Sequence, residues 1–140
     1  MSSNEEYNSL VRQKSAKQAE YRAAQDRIEE CDYLLGRLRR AKEVIQAQKK
    51  EFKNIKKRDE DLVEDKCDWT GSNYDRYRSK GGSMLAEDEF YLKNSLDTVL
   101  DNLNNEITRI ENQKYNEYGL LGRLSSAINS LANKIENFFN

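Results

Sequence analysis

The sequence predicts an all-α fold, an elongated antiparallel helical hairpin, and three observations lead to this prediction. The 140 residues include no proline, 35% of them are charged and only 36% are hydrophobic. The mean hydropathy is −1.03. Long solvated helices that share one narrow apolar seam fit such a composition, whereas a compact globule does not. We expect one hairpin domain over residues 1–140, with helix 1 at about 4–66 and helix 2 at about 83–139.

Helix 1 has a start signal and an apolar seam. Ser3 and Glu6 have the spacing of a capping box, in which each side chain satisfies a free backbone N–H. Apolar residues then recur every three or four positions, as one face of a coiled-coil helix requires. The predicted seam is Tyr7, Leu10, Tyr21, Ala24, Ile28, Cys31, Leu35 and Leu38, with Lys14 and Lys17 as polar members. Beyond Leu38 the phase drifts, and the seam is predicted to continue through Ala41, Ile45, Gln48, Phe52, Ile55 and Leu62.

Helix 2 repeats its apolar residues more regularly, every seven positions. One seam position holds Leu96, Leu103, Ile110, Leu124, Leu131 and Phe138, and the other holds Leu100, Ile107, Leu121, Ile128 and Ile135. Lys114 and Glu117 interrupt the stripe. Strict seven-residue repetition predicts left-handed winding around another helix. The simplest partner is helix 1, folded back antiparallel.

Charge supports the hairpin without fixing its register. Residues 36–58 contain ten basic and two acidic side chains, whereas residues 84–112 contain seven acidic and two basic ones. An antiparallel hairpin brings these blocks side by side, where charges beside the seam favour one orientation. Turns centred near residue 69 and near residue 78 both satisfy the pattern.

The segment CDWTGSNYDRYRSKGG, residues 67–82, separates the two helices and contains the only tryptophan. The seam extrapolated back from Leu96 gives positions 75, 79, 82 and 86, so Tyr74 and Tyr77 fall outside it. We predict a turn at Trp69-Thr70-Gly71, a short helix over about 72–80 and a break at Gly81-Gly82, where glycine tolerates a left-handed conformation. As a structural role, Trp69 closes the end of the hairpin.

The sequence offers no chemistry for an enzyme. It has no histidine, the usual general base and the commonest metal ligand. No phosphate-binding loop, metal-ligand spacing or activated nucleophile can be assembled, so we expect no catalytic, cofactor-binding or metal-binding residues. Cys31 and Cys67 would lie roughly 54 Å apart on one helix, too far for a disulfide.

Net charge and hydropathy also limit the partners. The net charge of −1 does not favour nucleic acid. The basic run Lys49–Arg58 is better interpreted as a solvated helix face neutralised by nearby acids. The N-terminus has no apolar signal region, and no run reaches the roughly 18 apolar residues of a membrane span. We expect synthesis in the cytoplasm, no membrane insertion, and no cleaved signal peptide if the protein is exported.

A helical hairpin joined by Trp-Xaa-Gly resembles the WXG superfamily of type VII secretion. The sequence has RLRRAKEVIQAQKKEFKNIKK before the motif, WTGSNYDRY at the break and leucine/isoleucine heptads after it. This layout is most similar to the YwqH-like accessory proteins of LXG-domain toxins in Gram-positive bacteria, over essentially the whole chain. Trp69 and Gly71 match the motif, and Tyr74 or Tyr77 takes the place of the aromatic residue that follows.

The resemblance implies a non-enzymatic, chaperone-like targeting protein. It implies helix packing against the helical N-terminal domain of an LXG toxin, or against another small helical secretion protein. The Trp-Xaa-Gly turn would contribute to a surface that the type VII secretion ATPase binds transiently. The Tyr-Xaa3-Asp/Glu signal of many relatives is missing, because none of the eight tyrosines has an acid four residues later. Either a partner supplies that signal or a different one is used.

A second interpretation belongs to a different class of protein. A cytoplasmic coiled-coil scaffold or dimerising structural protein, unrelated to secretion, would show the same heptads. A homodimer would then cover the apolar surface that two helices leave. Replacing Trp69 with Ala separates the two interpretations, because only the first predicts a loss of toxin export with helical content retained.

Overall fold

A computed structural model describes the backbone of residues 2–64 and 72–140, and their side chains except those of residues 59–64, 72–78, 84, 85, 88, 92 and 93. The described elements are α1 (Ser3–Glu64), α2 (Ser72–Tyr91), a π-helical turn (Leu92–Leu96) and α3 (Asp97–Glu136). No strand occurs in these ranges, so the all-α prediction is confirmed.

The chain forms two compact units. Unit 1 comprises Met1–Gly36 and Thr108–Asn140, and unit 2 comprises Arg37–Ile107. The long helix α1 contributes its first half to unit 1 and its second half to unit 2. The assignment of residues 1–140 to one hairpin domain stays a prediction.

Within unit 1, α1 and α3 run antiparallel. The rings of Tyr7 and Phe138 lie 5.8 Å apart, and further along α1 Arg27 Nε lies 2.9 Å from Glu117 Oε1. Because moving forward along α1 means moving back along α3, the two helices have opposite directions. A two-helix layer of this kind has one apolar seam and two solvated outer faces.

Within unit 2 the helices are also antiparallel, and the pairs there fix the register. Lys49 forms an ion pair with Asp97, and the rings of Phe52 and Tyr91 lie 5.0 Å apart. For each pair, the mean of the two residue numbers falls between 71 and 73. The register therefore lies between the two turn centres that the charge pattern allows.

The first helix begins with a capping box, one residue earlier than predicted. The backbone N–H of Glu5 donates to Ser2 Oγ at 3.3 Å, and the backbone N–H of Ser2 donates to Glu5 Oε2 at 3.3 Å. The choice of Ser3 and Glu6 was wrong because two serines and two glutamates stand next to each other, and spacing alone does not distinguish the two pairs.

The predicted break at Gly81-Gly82 was also wrong, because α2 continues through both glycines. Glycine permits a left-handed turn but does not require one. A glycine inside a helix costs only about 1 kcal/mol relative to alanine. Without proline, nothing in this segment removes a backbone donor, and the 20-residue helix continues.

Regular α-helix is interrupted instead at the π turn Leu92–Leu96. Such a turn closes over five residues rather than four and rotates the preceding helix face. The extrapolated seam positions Gly82 and Ala86 are accordingly exposed, whereas Gly81 is half-buried. The side-chain Nδ2 of Asn94 donates to the carbonyl oxygen of Phe90 at 3.1 Å, within the disturbed segment.

Candidate partner-binding surfaces

The predicted secretion motif is only partly covered by the described residues. Trp69 and Gly71 lie outside them. Tyr74 and Tyr77 belong to the backbone of α2, but their side chains are not described. The roles assigned to these four residues therefore stay predictions, and the surfaces below come from the rest of the chain.

Unit 1 contains the better-packed seam. Its buried apolar residues are Ala24, Ile28, Cys31, Leu35, Ile110, Leu124 and Leu131. The predicted seam residues Leu121, Ile128 and Ile135 are half-buried. Leu35 is 2% exposed and has one of the largest fully buried side chains among the described residues. This seam follows the heptad positions read from the sequence.

Two polar pairs cross the middle of this seam. Arg27 Nε donates to Glu117 Oε1 at 2.9 Å, and Lys114 forms an ion pair with Asp32. The hydrogen bond to Glu117 raises the pKa of the Arg27 guanidinium. The acid is Glu117 of α3 in the first pair and Asp32 of α1 in the second. A shift of one helix along the other by seven residues would separate both pairs. Lys114 and Glu117 thus set the register of unit 1.

Cys31 lies between these pairs and is inert in the folded chain. Its side chain is 2% exposed, and it is a free thiol. Burial raises the pKa of the Cys31 thiol, and the nearby carboxylates Glu117, Glu30 and Asp32 raise it further. A buried thiol of raised pKa is a packing residue rather than a nucleophile.

Aromatic rings cover the end of unit 1 that carries both chain termini. Tyr7 lies 5.8 Å from Phe138 and 5.3 Å from Phe139, measured between ring centroids. Phe138 and Phe139 meet edge to face at 4.9 Å. The heptad pattern identified Phe138 but missed Phe139, which comes after the last turn of α3.

An open groove runs along one side of the unit 1 seam. Its volume is about 360 Å³. The groove is lined by Gln18, Tyr21, Arg22, Gln25, Ser125, Ile128 and Asn129. Most of these side chains end in amide, hydroxyl or guanidinium groups, but polar and apolar atoms contribute equally to the surface of the groove. It is a surface depression rather than an enclosed ligand cavity.

Unit 2 has a seam in which lysines alternate with apolar residues. The half-buried positions of α1 here are Leu38, Lys42, Ile45, Lys49, Phe52 and Lys56. On the returning chain Leu96 and Ile107 are buried, and Leu100 and Leu103 are half-buried. A lysine therefore recurs every seven residues, and its methylene stem covers apolar surface while the ammonium group reaches acids such as Asp97.

The predicted drift of the α1 seam beyond Leu38 was wrong at Ala41, Gln48 and Ile55, whereas Ile45 and Phe52 are half-buried as predicted. Ala41 and Gln48 are exposed, and Ile55 is 42% exposed. The prediction placed Ala and Gln rather than Lys at seam positions. In the structure the half-buried positions continue in alternating steps of four and three residues, and Lys42, Lys49 and Lys56 are among them. Leu62 lies among the residues whose side chains are not described.

The displaced residues Ala41, Gln48 and Ile55 lie together with Val44 on a second, exposed stripe of α1 in unit 2. We call it the outer stripe and define it as Ala41, Val44, Gln48 and Ile55. Val44 is 56% exposed. Such an apolar row beside a thin seam is the pattern that further helices cover in larger assemblies.

The described residues offer no sign of a metal or membrane site. Among them no group of three or more Cys, Asp and Glu side chains is placed to hold a metal ion. None of the described helices is long and apolar enough to cross a bilayer. The described surface consists instead of packed helices with exposed apolar side chains.

Fold and surfaces together define an antiparallel two-helix protein whose exposed apolar side chains suit contact with other helices. The chain belongs to the YwqH-like family, whose model matches residues 5–133. No curated protein and no solved structure matches the chain.

Proposed function

We propose that this chain is a small, non-enzymatic accessory protein that packs against the helical N-terminal domain of an LXG-type toxin, or against another WXG-like protein, for type VII secretion. Membership in the YwqH-like family over residues 5–133 supports the proposal. The Trp69-Thr70-Gly71 sequence supports it further through its resemblance to the WXG superfamily.

The observation that carries the proposal is the exposure of large apolar side chains on both units. Val44 is 56% exposed, Phe90 68% and Tyr115 79%. A single seam between two helices leaves such residues in water, although burying apolar surface stabilises by about 25 cal/mol per Å². Further helices that pack on these faces would bury the exposed side chains. A targeting protein would hold a helical cargo by packing of this kind.

Co-expression with a toxin domain tests the proposal. The chain is produced together with the tagged helical N-terminal domain of an LXG-domain toxin from the same genome. We expect a stable complex after affinity purification and gel filtration. A chain that elutes alone, or as a homodimer that ignores the toxin domain, would favour the structural-scaffold class instead.

Export of the full toxin tests the targeting role separately. We expect Trp69→Ala to reduce toxin export while circular dichroism shows unchanged helical content. The ATPase that drives type VII export is the partner expected at this turn. Normal export by the Trp69→Ala chain would contradict a targeting role for the tryptophan.

A further inference from the structure

We propose that the outer stripe of unit 2 is the docking surface for an acidic amphipathic α-helix of the partner protein. The inference rests on the proposed function and adds to it the face of the molecule and the chemistry of the partner helix.

The outer stripe has the spacing of a helix-packing face. Its members follow one another at intervals of three, four and seven residues. Ala41, Gln48 and Ile55 each stand three residues after Leu38, Ile45 or Phe52, which places them about 60° from the seam because a residue advances by about 100° around an α-helix. Val44 stands one residue before Ile45, about 100° away. The stripe therefore flanks the seam, and three of its four members are apolar.

The returning chain adds an apolar residue on the same side. Ala41, Gln48 and Ile55 each stand one residue before a seam lysine of α1. Val99 likewise stands one residue before the seam residue Leu100, and it is 41% exposed. In an antiparallel pair these equivalent flanking positions face each other across the same side of the seam. The outer stripe and Val99 thus border one shallow apolar strip.

The charge beside the stripe identifies the partner helix as acidic. Arg40 stands four residues before Val44, and Arg58 stands three residues after Ile55, so both are surface neighbours of the stripe. Both side chains are exposed. Glu51, which lies between Gln48 and Ile55 at the stripe's own spacing, is an acid on the same face, so the two arginines leave this face with a net positive charge. Asp or Glu beside the apolar face of an incoming helix complements this charge.

The same charge argues against a second copy of this chain as the occupant. A two-fold contact places the same patch of both copies together. Here it would bring the Arg40 and Arg58 regions of the two copies into one interface. Like charges at close range oppose association, so a different, acidic helix fits better.

The first test removes the apolar contacts. The probe is the helical N-terminal domain of an LXG-domain toxin from the same genome, and its Kd is measured by isothermal titration. We expect Val44→Ser/Ile55→Ser in the full chain to raise the Kd at least tenfold. The matched control is Val11→Ser/Tyr33→Ser, which alters exposed apolar residues of α1 in unit 1 and should leave the Kd within twofold.

The second test reverses the charge. We expect Arg40→Glu/Arg58→Glu to raise the Kd at least tenfold at low salt and to flatten its dependence on ionic strength. Arg12→Glu/Arg22→Glu, which changes exposed arginines of α1 in unit 1, is the control and should preserve both the Kd and its salt dependence. Circular dichroism on every variant verifies retained helix.

The outcomes separate this inference from the proposed function. Toxin-domain binding that survives Val44→Ser/Ile55→Ser would overturn the docking surface and leave the proposed function in place. A wild-type chain that fails to bind the toxin domain would overturn both. A wild-type dimer in sedimentation velocity that Val44→Ser/Ile55→Ser converts to monomers would show that a second copy occupies the stripe, which also overturns the inference.

Discussion

Unit 1 and unit 2 share an antiparallel two-helix arrangement, but they fill their seams differently. Seven of the buried apolar residues among the described positions lie in unit 1, and two, Leu96 and Ile107, lie in unit 2. Unit 1 places two ion pairs in the middle of its seam and half-buries Lys14 and Lys17 nearer the start of α1. Unit 2 places a lysine at every second seam position of α1 and leaves a separate apolar stripe exposed.

The difference shows that seam residues and exposed apolar residues serve separate purposes in this chain. Unit 1 buries more apolar side chains in its seam, although both units leave large apolar side chains exposed, such as Tyr115 in unit 1 and Val44 in unit 2. In unit 2 the side chains of Val44 and Ile55 could not contribute to the seam, because they lie on another face of α1. Lysine tolerates half-burial there through its long stem, at the expense of packing. From the buried residues that the structure describes, we expect unit 1 to be the more stable unit.

The largest expected effect comes from removing a buried leucine in unit 1. Leu35→Ala should lower the free energy of unfolding by about 2–5 kcal/mol, because Leu35 is fully buried. The matched variant is Leu38→Ala, three residues along α1 in unit 2, where the side chain is only half-buried. We expect roughly half the loss there, measured by urea denaturation. Equal losses would contradict the difference between the units.

A smaller effect of opposite sign is expected in unit 2. Lys42→Leu should raise the free energy of unfolding by about 1 kcal/mol, because leucine buries apolar surface where lysine contributes only its stem. Lys50→Leu, at an exposed position of the same helix, is the control and should change little. The variants are compared by thermal and urea unfolding. A loss of stability on Lys42→Leu would show that the ammonium group is needed in the seam.

The Cys31 thiol should give a pH-dependent contribution confined to unit 1. Its pKa is higher in the folded chain than in the unfolded one, through burial and the neighbouring acids. The thiol's contribution to stability is therefore fully present below the unfolded pKa, about 8.5, and is lost as pH rises through the folded pKa. Urea unfolding from pH 7 to 10 should show wild type losing more stability than Cys31→Ala. Parallel curves would contradict this.

The smallest expected effect lies at the start of α1. Ser2→Ala should remove one half of the capping box and cost about 0.5–2 kcal/mol locally. We expect faster hydrogen exchange in the first turn and no change around Leu35. Ser3→Ala is the matched control, because Ser3 is the neighbouring residue that does not cap. Faster exchange in Ser3→Ala than in Ser2→Ala would favour the capping box of Ser3 and Glu6 instead.

Regular elements were predictable from the sequence, whereas three local choices were not. The heptads of α3 identified Ile107, Ile110, Leu124 and Leu131 because seven-residue repetition allows only one face to be buried. The cap, the helix through Gly81-Gly82 and the seam beyond Leu38 were mistaken. In each of these places the sequence allowed two local arrangements, and contacts with other residues selected one of them. The π turn left no recognisable sign in the sequence.

The sequence by itself determined the all-α class, the antiparallel direction and the charge of each segment. The apolar periodicity and the charges follow from the order of the residues, so they do not depend on how the helices pack. Only the tertiary structure decided the register, the cross-seam pairs of Arg27 and Lys114, and which face of α1 in unit 2 stays exposed. These depend on which side chains meet across the seam, as the half-buried Lys49 meets Asp97.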